Sequence, residues 1–283
     1  MKKFLLSLLV FAGICYGSNI YAQGFKMPNA SSGQTIMQEF GLGNITLKYS
    51  RPNVKGRKIF GVGTLQPYGE VWRTGANQAT TIQFSEDVTI EGNKVPAGEY
   101  GLFTIPGKTE WTIILNKTAK QWGAYQYKTE DDFLRFKVKP TILNSLVETF
   151  TMQFTDVMPG ACDLNFMWER TAIKMHLTND YDSRVMAGID EAMKGSKKPY
   201  YQAMQYYYQN DKDMSLALGW ATELEKSDPK SFVYKVWKAR IELKLGDKKA
   251  AISTATEGLK LAQAGKSDEY ARLNEAVIDQ AKK

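Results

Sequence analysis

Histidine and cysteine are almost missing from this 283-residue chain, which has one histidine, His176, and two cysteines, Cys15 and Cys162. A His-based nucleophilic triad therefore has a single place to draw its base from. A zinc site would find at most His176 and Cys162 as nitrogen and sulfur ligands. Cys15 falls in an N-terminal segment read below as a leader, so an internal disulfide is excluded and the fold must rest on its core. No apolar run reaches the ~20 residues of a membrane-spanning helix. No dense Lys/Arg tract accompanies the formal net charge of +7, so the excess reads as a solvated surface rather than a nucleic-acid footprint.

What is present begins with Lys2 and Lys3, a short apolar run from Phe4 to Cys15, and the small residue Ala22. This pattern predicts a secretory signal peptide over residues 1–22, cleaved near Ala22. Ile14 stands where a lipobox needs a small residue, which argues against lipidation at Cys15. The mature chain is expected to be extracytoplasmic, periplasmic or secreted.

Two grammars follow, changing near residue 180. Across 23–179 several segments alternate with period two. Phe150, Met152 and Phe154 oppose Thr149, Thr151 and Gln153; Leu134, Phe136 and Val138 oppose Arg135, Lys137 and Lys139; Ile173, Met175 and Leu177 oppose Lys174, His176 and Thr178. Such alternation marks antiparallel strands covering a core on one side. Glu91-Gly92-Asn93, Pro96-Ala97-Gly98, Pro106-Gly107 and Pro159-Gly160 supply turns between them. About ten short strands in a β-sandwich are expected. Cys162 shares phase with Leu164, Phe166 and Trp168 and reads as a small buried hydrophobe; His176 falls on the polar face. Glu130-Asp131-Asp132 lacks the spaced oxygen ligands of a calcium loop.

Residues 180–283 read in helical spacing. Ala217, Ala221, Leu224 and Pro229 are spaced as in the second helix of a tetratricopeptide repeat. A step of 34 residues lands on Ala251, Ala255, Gly258 and Gln263, of which the first three fit. Lys235 and Lys238 occupy places where the first helix should be apolar. Two degenerate units and a capping helix at about 269–281 are expected. The tyrosines at 200, 201 and 206–208 read as packing between elements or as a binding face. The overall expectation is an α+β multidomain chain, an N-terminal antiparallel β-sandwich followed by a C-terminal α-helical tetratricopeptide-like hairpin stack.

The densest unusual chemistry lies in residues 49–77. Arg51 is in phase with Ile45, Leu47 and Tyr49 and should point inward, where a guanidinium needs a carboxylate, a carbonyl or a bound anion. Arg51, Arg57 and Arg73 could offer bidentate contacts to an anion, with Tyr68 or Trp72 as a stacking face and Asn77 nearby. Trp122, in the run Trp122-Gly123-Ala124-Tyr125-Gln126-Tyr127, could border the same place. The competing structural reading is an internal ion-pair network, with Arg73 meeting Glu70, Glu99 or a core carbonyl.

The runs YSRPNVKGRKIFG, PYGEVWRTGANQATTI, VPAGEYGLFTIPGKTEWTIILNK and QWGAYQY resemble the domain-of-unknown-function 2911 family of exported bacterial proteins, over about residues 30–178. The resemblance implies an extracytoplasmic β-rich domain and transfers no catalytic residue. The function expected is binding: an anionic or sugar ligand on the β part and an envelope protein on the helical tail, with no cofactor, metal or nucleic acid. The alternative is an envelope hydrolase acting on a carbohydrate or phosphate ester. Its carboxylate pair would be assembled from distant strands, such as Glu70 with Glu99 or Asp163.

Overall fold

The computed structural model describes residues 27–283; the expected signal peptide lies outside the described residues. The chain forms two compact units that divide between Asp180 and Tyr181, and the α+β organisation holds, with strands in the first unit and helices in the second.

Among the described residues the first unit contains twelve strands: β1 (Ser32–Phe40), β2 (Gly43–Arg51), β3 (Phe60–Gly61), β4 (Gln66–Pro67), β5 (Thr80–Phe84), β6 (Val88–Ile90), β7 (Asn93–Val95), β8 (Gly98–Ile105), β9 (Trp111–Asn116), β10 (Asp132–Val138), β11 (Thr141–Met158) and β12 (Ala161–Thr178). One antiparallel sheet runs β1-β2-β5-β8-β9-β10 and a second runs β11-β12-β6-β7; β3 and β4 form a short parallel pair. The alternating segments around 150–154 and 173–177 prove to be parts of two long strands of 18 residues each. Register shifts along their pairing, with Asp156 at φ 51° and Glu169 at φ 56°, break the two-residue period, as bulges do.

Both sheets contribute to one apolar core. Ile45, Leu47, Ile82 and Leu102 come from the six-stranded sheet; Phe150, Leu164, Phe166 and Met175 come from the four-stranded one. Cys162 is fully buried there, and burial pushes its thiol up to about 12, with the adjacent Asp163 charge adding to the effect. Tyr49 stitches the two sheets together from inside. Its hydroxyl donates to Gln34 Oε1 at 2.7 Å and accepts from the Met152 backbone N–H at 2.9 Å. Burial raises this phenol above its ordinary value, which keeps it a neutral hydrogen-bonding group.

The second unit holds α1 (Asp182–Ala192), α2 (Tyr200–Gln209), α3 (Met214–Ser227), α4 (Phe232–Lys244), α5 (Lys248–Ala264) and α6 (Asp268–Lys282). Asp213 and Asp247, 34 residues apart, cap α3 and α5. Their carboxylates accept from Ser215 N at 2.8 Å and Ala250 N at 2.9 Å. Ala217, Ala221, Ala251 and Ala255 are fully buried, as small residues must be where helices approach closely. Lys235 does occupy an inward position, at 5% exposure. It ion-pairs with Glu225 of α3 and, at 2.7 Å, with Glu257 of α5, while Lys238 reaches Glu225 at 2.5 Å. Burial would raise the Glu225 carboxyl, but hydrogen bonds from Lys235 and Lys238 outweigh it and hold the group below its usual range. Buried charge is tolerated here because it is paired.

Candidate functional site

An open cleft of about 480 Å³ lies on the outer face of the six-stranded sheet. Its floor follows from strand register. Thr35 of β1 stands beside Lys48 of β2, and Lys48 beside Thr81 of β5, so three polar side chains on the solvent-facing phase form one row. The next position in that row is Gly101 of β8. A Cβ there would sit 3.1 Å from the Thr118 carbonyl oxygen and 2.9 Å from the Phe103 ring. Glycine thus lets the segment after β9 lie down on the sheet and turn a flat polar face into a cleft.

That segment is strapped in place. Gln78 and Trp122 form an antiparallel bridge, the Ala79 N–H donates to the Gln121 carbonyl at 2.9 Å, and the Gly123 N–H donates to the Asn77 carbonyl at 3.1 Å. Gln121 is buried, and its Nε2 donates to the Thr118 carbonyl at 2.6 Å and to Asn116 Oδ1 at 3.3 Å. Its Oε1 is buried without a hydrogen-bond partner. Trp122 projects from this wall at 62% exposure. Lys48, Lys120 and Glu99 also line the cleft and make no ion pair among the described residues.

Of the seven residues singled out from sequence, Trp122 alone lines this cleft. Asn77 stands beside it, its side chain donating to Ser31 O and Ser50 Oγ at 3.1 and 3.3 Å. Arg51 points inward and is satisfied by Phe150 O at 3.0 Å and Thr151 Oγ1 at 2.9 Å on β11. Arg57 donates to the carbonyls of Val54 and Asn53 at 3.0 and 2.5 Å. Tyr68 is exposed after β4 and does not line the cleft.

Trp72 is 3% exposed. It stacks on Trp168 at 5.7 Å and meets Phe60, Phe150 and Trp111 edge-on, with Nε1 donating to Gly75 O at 3.0 Å. Arg73 is half-buried behind the Trp122 wall, where a Cβ built on Gly123 would stand 3.5 Å from its Nη1. Its Nε is buried without a hydrogen-bond partner, and it forms no ion pair with Glu70 or Glu99. The arginine cluster is therefore dispersed into backbone contacts and loop packing. Thr35, Lys48, Thr81 and Gln121 carry no local signal that sets them apart in the sequence, and Glu99 entered only as a possible partner of Arg73 or half of a carboxylate pair.

A second polar group sits on β12. Asp163, 5% exposed, accepts from Lys174 Nζ at 2.7 Å and lies 2.7 Å from His176 Nδ1. Burial alone would raise the Asp163 carboxyl; the hydrogen bonds from Lys174 and His176 outweigh it and hold the group below its usual range. Glu91 accepts from the His176 backbone N–H at 2.6 Å. Among the described residues no cluster of three or more His, Cys, Asp or Glu side chains is arranged to hold a metal ion, and no helix is long and apolar enough to cross a membrane.

The family described as "Protein of unknown function (DUF2911)" matches residues 31–177, which runs from β1 through almost all of β12. The chain belongs to this family. No curated protein and no solved structure shows a significant match to it.

Proposed function

We propose that this member of the family is an extracytoplasmic binding protein whose β-sandwich unit takes a small polar ligand of the sugar class in the cleft beneath Trp122. The observation that carries the reading is the pairing of that exposed indole with polar groups the protein leaves open. An exposed aromatic ring at a cleft mouth offers a flat face to the apolar C–H side of a sugar. Below it stand the hydroxyls of Thr35 and Thr81, the amide of Gln78, and the Glu99 carboxylate. The backbone straps on both sides of Trp122 hold this wall in place before a ligand arrives, which lowers the ordering cost of binding.

The tetratricopeptide-like helical unit is assigned a protein partner. Support comes from a half-exposed stripe on α2 and α4. Trp237 donates to the Tyr201 hydroxyl at 3.2 Å, Arg240 lies 5.1 Å over the Trp237 ring, and Lys244 lies 4.5 Å over Tyr208. Two neighbours of that stripe are already used in packing: Tyr207 is buried against Trp220 at 4.7 Å, and Tyr206 donates to Asp182 at 2.6 Å.

The hydrolytic alternative needs two carboxyl groups about 5–9.5 Å apart in one groove. Among the described residues Glu99 is the only carboxylate lining the cleft, and Asp163 is engaged with Lys174 and His176 in the other sheet. Isothermal titration of residues 23–283 with a panel of mono- and oligosaccharides, repeated with Trp122→Ala, tests the binding reading. A sugar bound by the wild type and at least tenfold more weakly by the variant supports it. Equal binding by both proteins, or by neither, overturns it.

A further inference from the structure

We infer that the ligand of this cleft is an acidic sugar, a carbohydrate ring bearing one carboxylate or phosphate, with the anion held between Lys48 and Lys120. The inference rests on the binding reading above and narrows it. Lys48 rises from the centre of the floor, with threonine hydroxyls in register on both sides; Lys120 comes from the wall, one residue from Gln121 and two from Trp122. Two lysines from separate elements thus line one concavity, and neither is neutralised by an ion pair among the described residues.

The lining charge is two lysines against one glutamate, a net single positive charge. A neutral sugar would leave the net positive charge of the lining without a counter-charge, and a bare anion would leave Trp122 and the amide and hydroxyl groups unused. A ring with one anionic substituent uses all of them: the ring stacks on Trp122, its hydroxyls donate to Glu99, and the anion accepts from the two lysines in charge-assisted hydrogen bonds.

The test is titration of residues 23–283 with glucose and galactose, their uronates and their 6-phosphates, with acetate and inorganic phosphate as bare anions. Each is measured at ~50 mM and ~500 mM salt, because attraction at an open site weakens as the screening length shrinks. The acidic member of a pair should bind on the order of tenfold tighter than the neutral one at low salt, since charged hydrogen bonds are about twice as strong as neutral ones. Lys48→Gln with Lys120→Gln should erase that advantage, so that the acidic and neutral members of a pair bind alike; both side chains are exposed, so the variant should fold. A uronate preference names a carboxylate and a 6-phosphate preference a phosphate, and either supports the proposal. Equal affinity for neutral and acidic sugars overturns the acidic assignment and leaves the sugar reading standing. Acetate or phosphate binding as tightly as the acidic sugars overturns the sugar and leaves an anion site. Binding of nothing in the panel overturns both.

Discussion

Trp72→Ala would remove a ring that stacks on Trp168 at an interplanar angle of 18° and meets three further aromatic rings edge-on. An aromatic side chain buries 150–250 Å², so at ~25 cal/mol per Å² the transfer contribution is about 4–6 kcal/mol. That is an upper bound, because unfolded chains retain some burial, and tryptophan-to-alanine truncations in cores cost ~3–5 kcal/mol. The Gly75 carbonyl, in a buried residue, also loses its hydrogen bond from the indole, adding ~1 kcal/mol.

A loss of about 4 kcal/mol lowers a urea midpoint by ~2 M at a slope of ~2 kcal/mol per M. Trp72→Phe keeps most of the ring contacts and should cost about half as much. Trp122→Ala, on an exposed side chain, should stay within ~0.5 kcal/mol of wild type. Urea titration followed by near-ultraviolet circular dichroism reads aromatic packing directly. An unmoved midpoint for Trp72→Ala, or equal losses from the two tryptophans, would refute the division of roles between a core ring and a cleft ring.

Other expectations are as direct. Cys162, buried with its thiol pushed up to about 12, should resist a maleimide at pH 8 in the native protein and react fully in ~6 M urea; fast native labelling, counted by mass, would contradict its burial. Gly101→Ala places a Cβ against Phe103 and the Thr118 carbonyl and should cost ~1–3 kcal/mol, weakening any cleft ligand as well. Full stability together with full binding would remove Gly101 from the site's construction.

Glu242 of α4 is buried with Oε2 unpartnered, and burial raises its carboxyl above the ordinary value. The native state therefore loses stability as pH rises through that raised value. Glu242→Gln should be the more stable protein at pH 7.5, with the difference vanishing below the ordinary glutamate value of ~4.3; a less stable variant at pH 7.5 would reverse the argument. Asp163 is shifted the other way. Its contribution is present above the ordinary aspartate value of ~3.9 and is lost as pH falls through its lowered native value. Wild-type and Asp163→Asn midpoints should converge between pH 6 and 2, and parallel curves would show that the pairing with Lys174 and His176 contributes nothing.

Local period was the legible part of this chain, and partners were not. The inward phase of Arg51 follows from Ile45, Leu47 and Tyr49. Its acceptors, Phe150 O and Thr151 Oγ1, lie about a hundred residues away on β11, and no pattern within a strand names a carbonyl on another. The same limit hid the fate of Trp72. A tryptophan beside an arginine in a turn-rich run has the composition of a ligand site, and only the arrival of Phe60, Phe150 and Trp168 makes it core.

In the helical unit the 34-residue spacing of small residues was readable because helix packing demands small residues at fixed steps; the capping aspartates at the same step emerge only with the helices. Lys235 and Lys238 contradicted that pattern until Glu225 was brought opposite them from α3. The cleft is the extreme case. Thr35, Lys48 and Thr81 are what any solvent-facing strand phase looks like, and the sheet gives them meaning only by aligning them. Gly101 is the one residue whose type records the site, since a side chain there would press on the segment that carries Gln121 and Trp122. A cleft built from an ordinary polar sheet surface thus leaves its trace in the glycine that admits the wall rather than in the residues that form its floor.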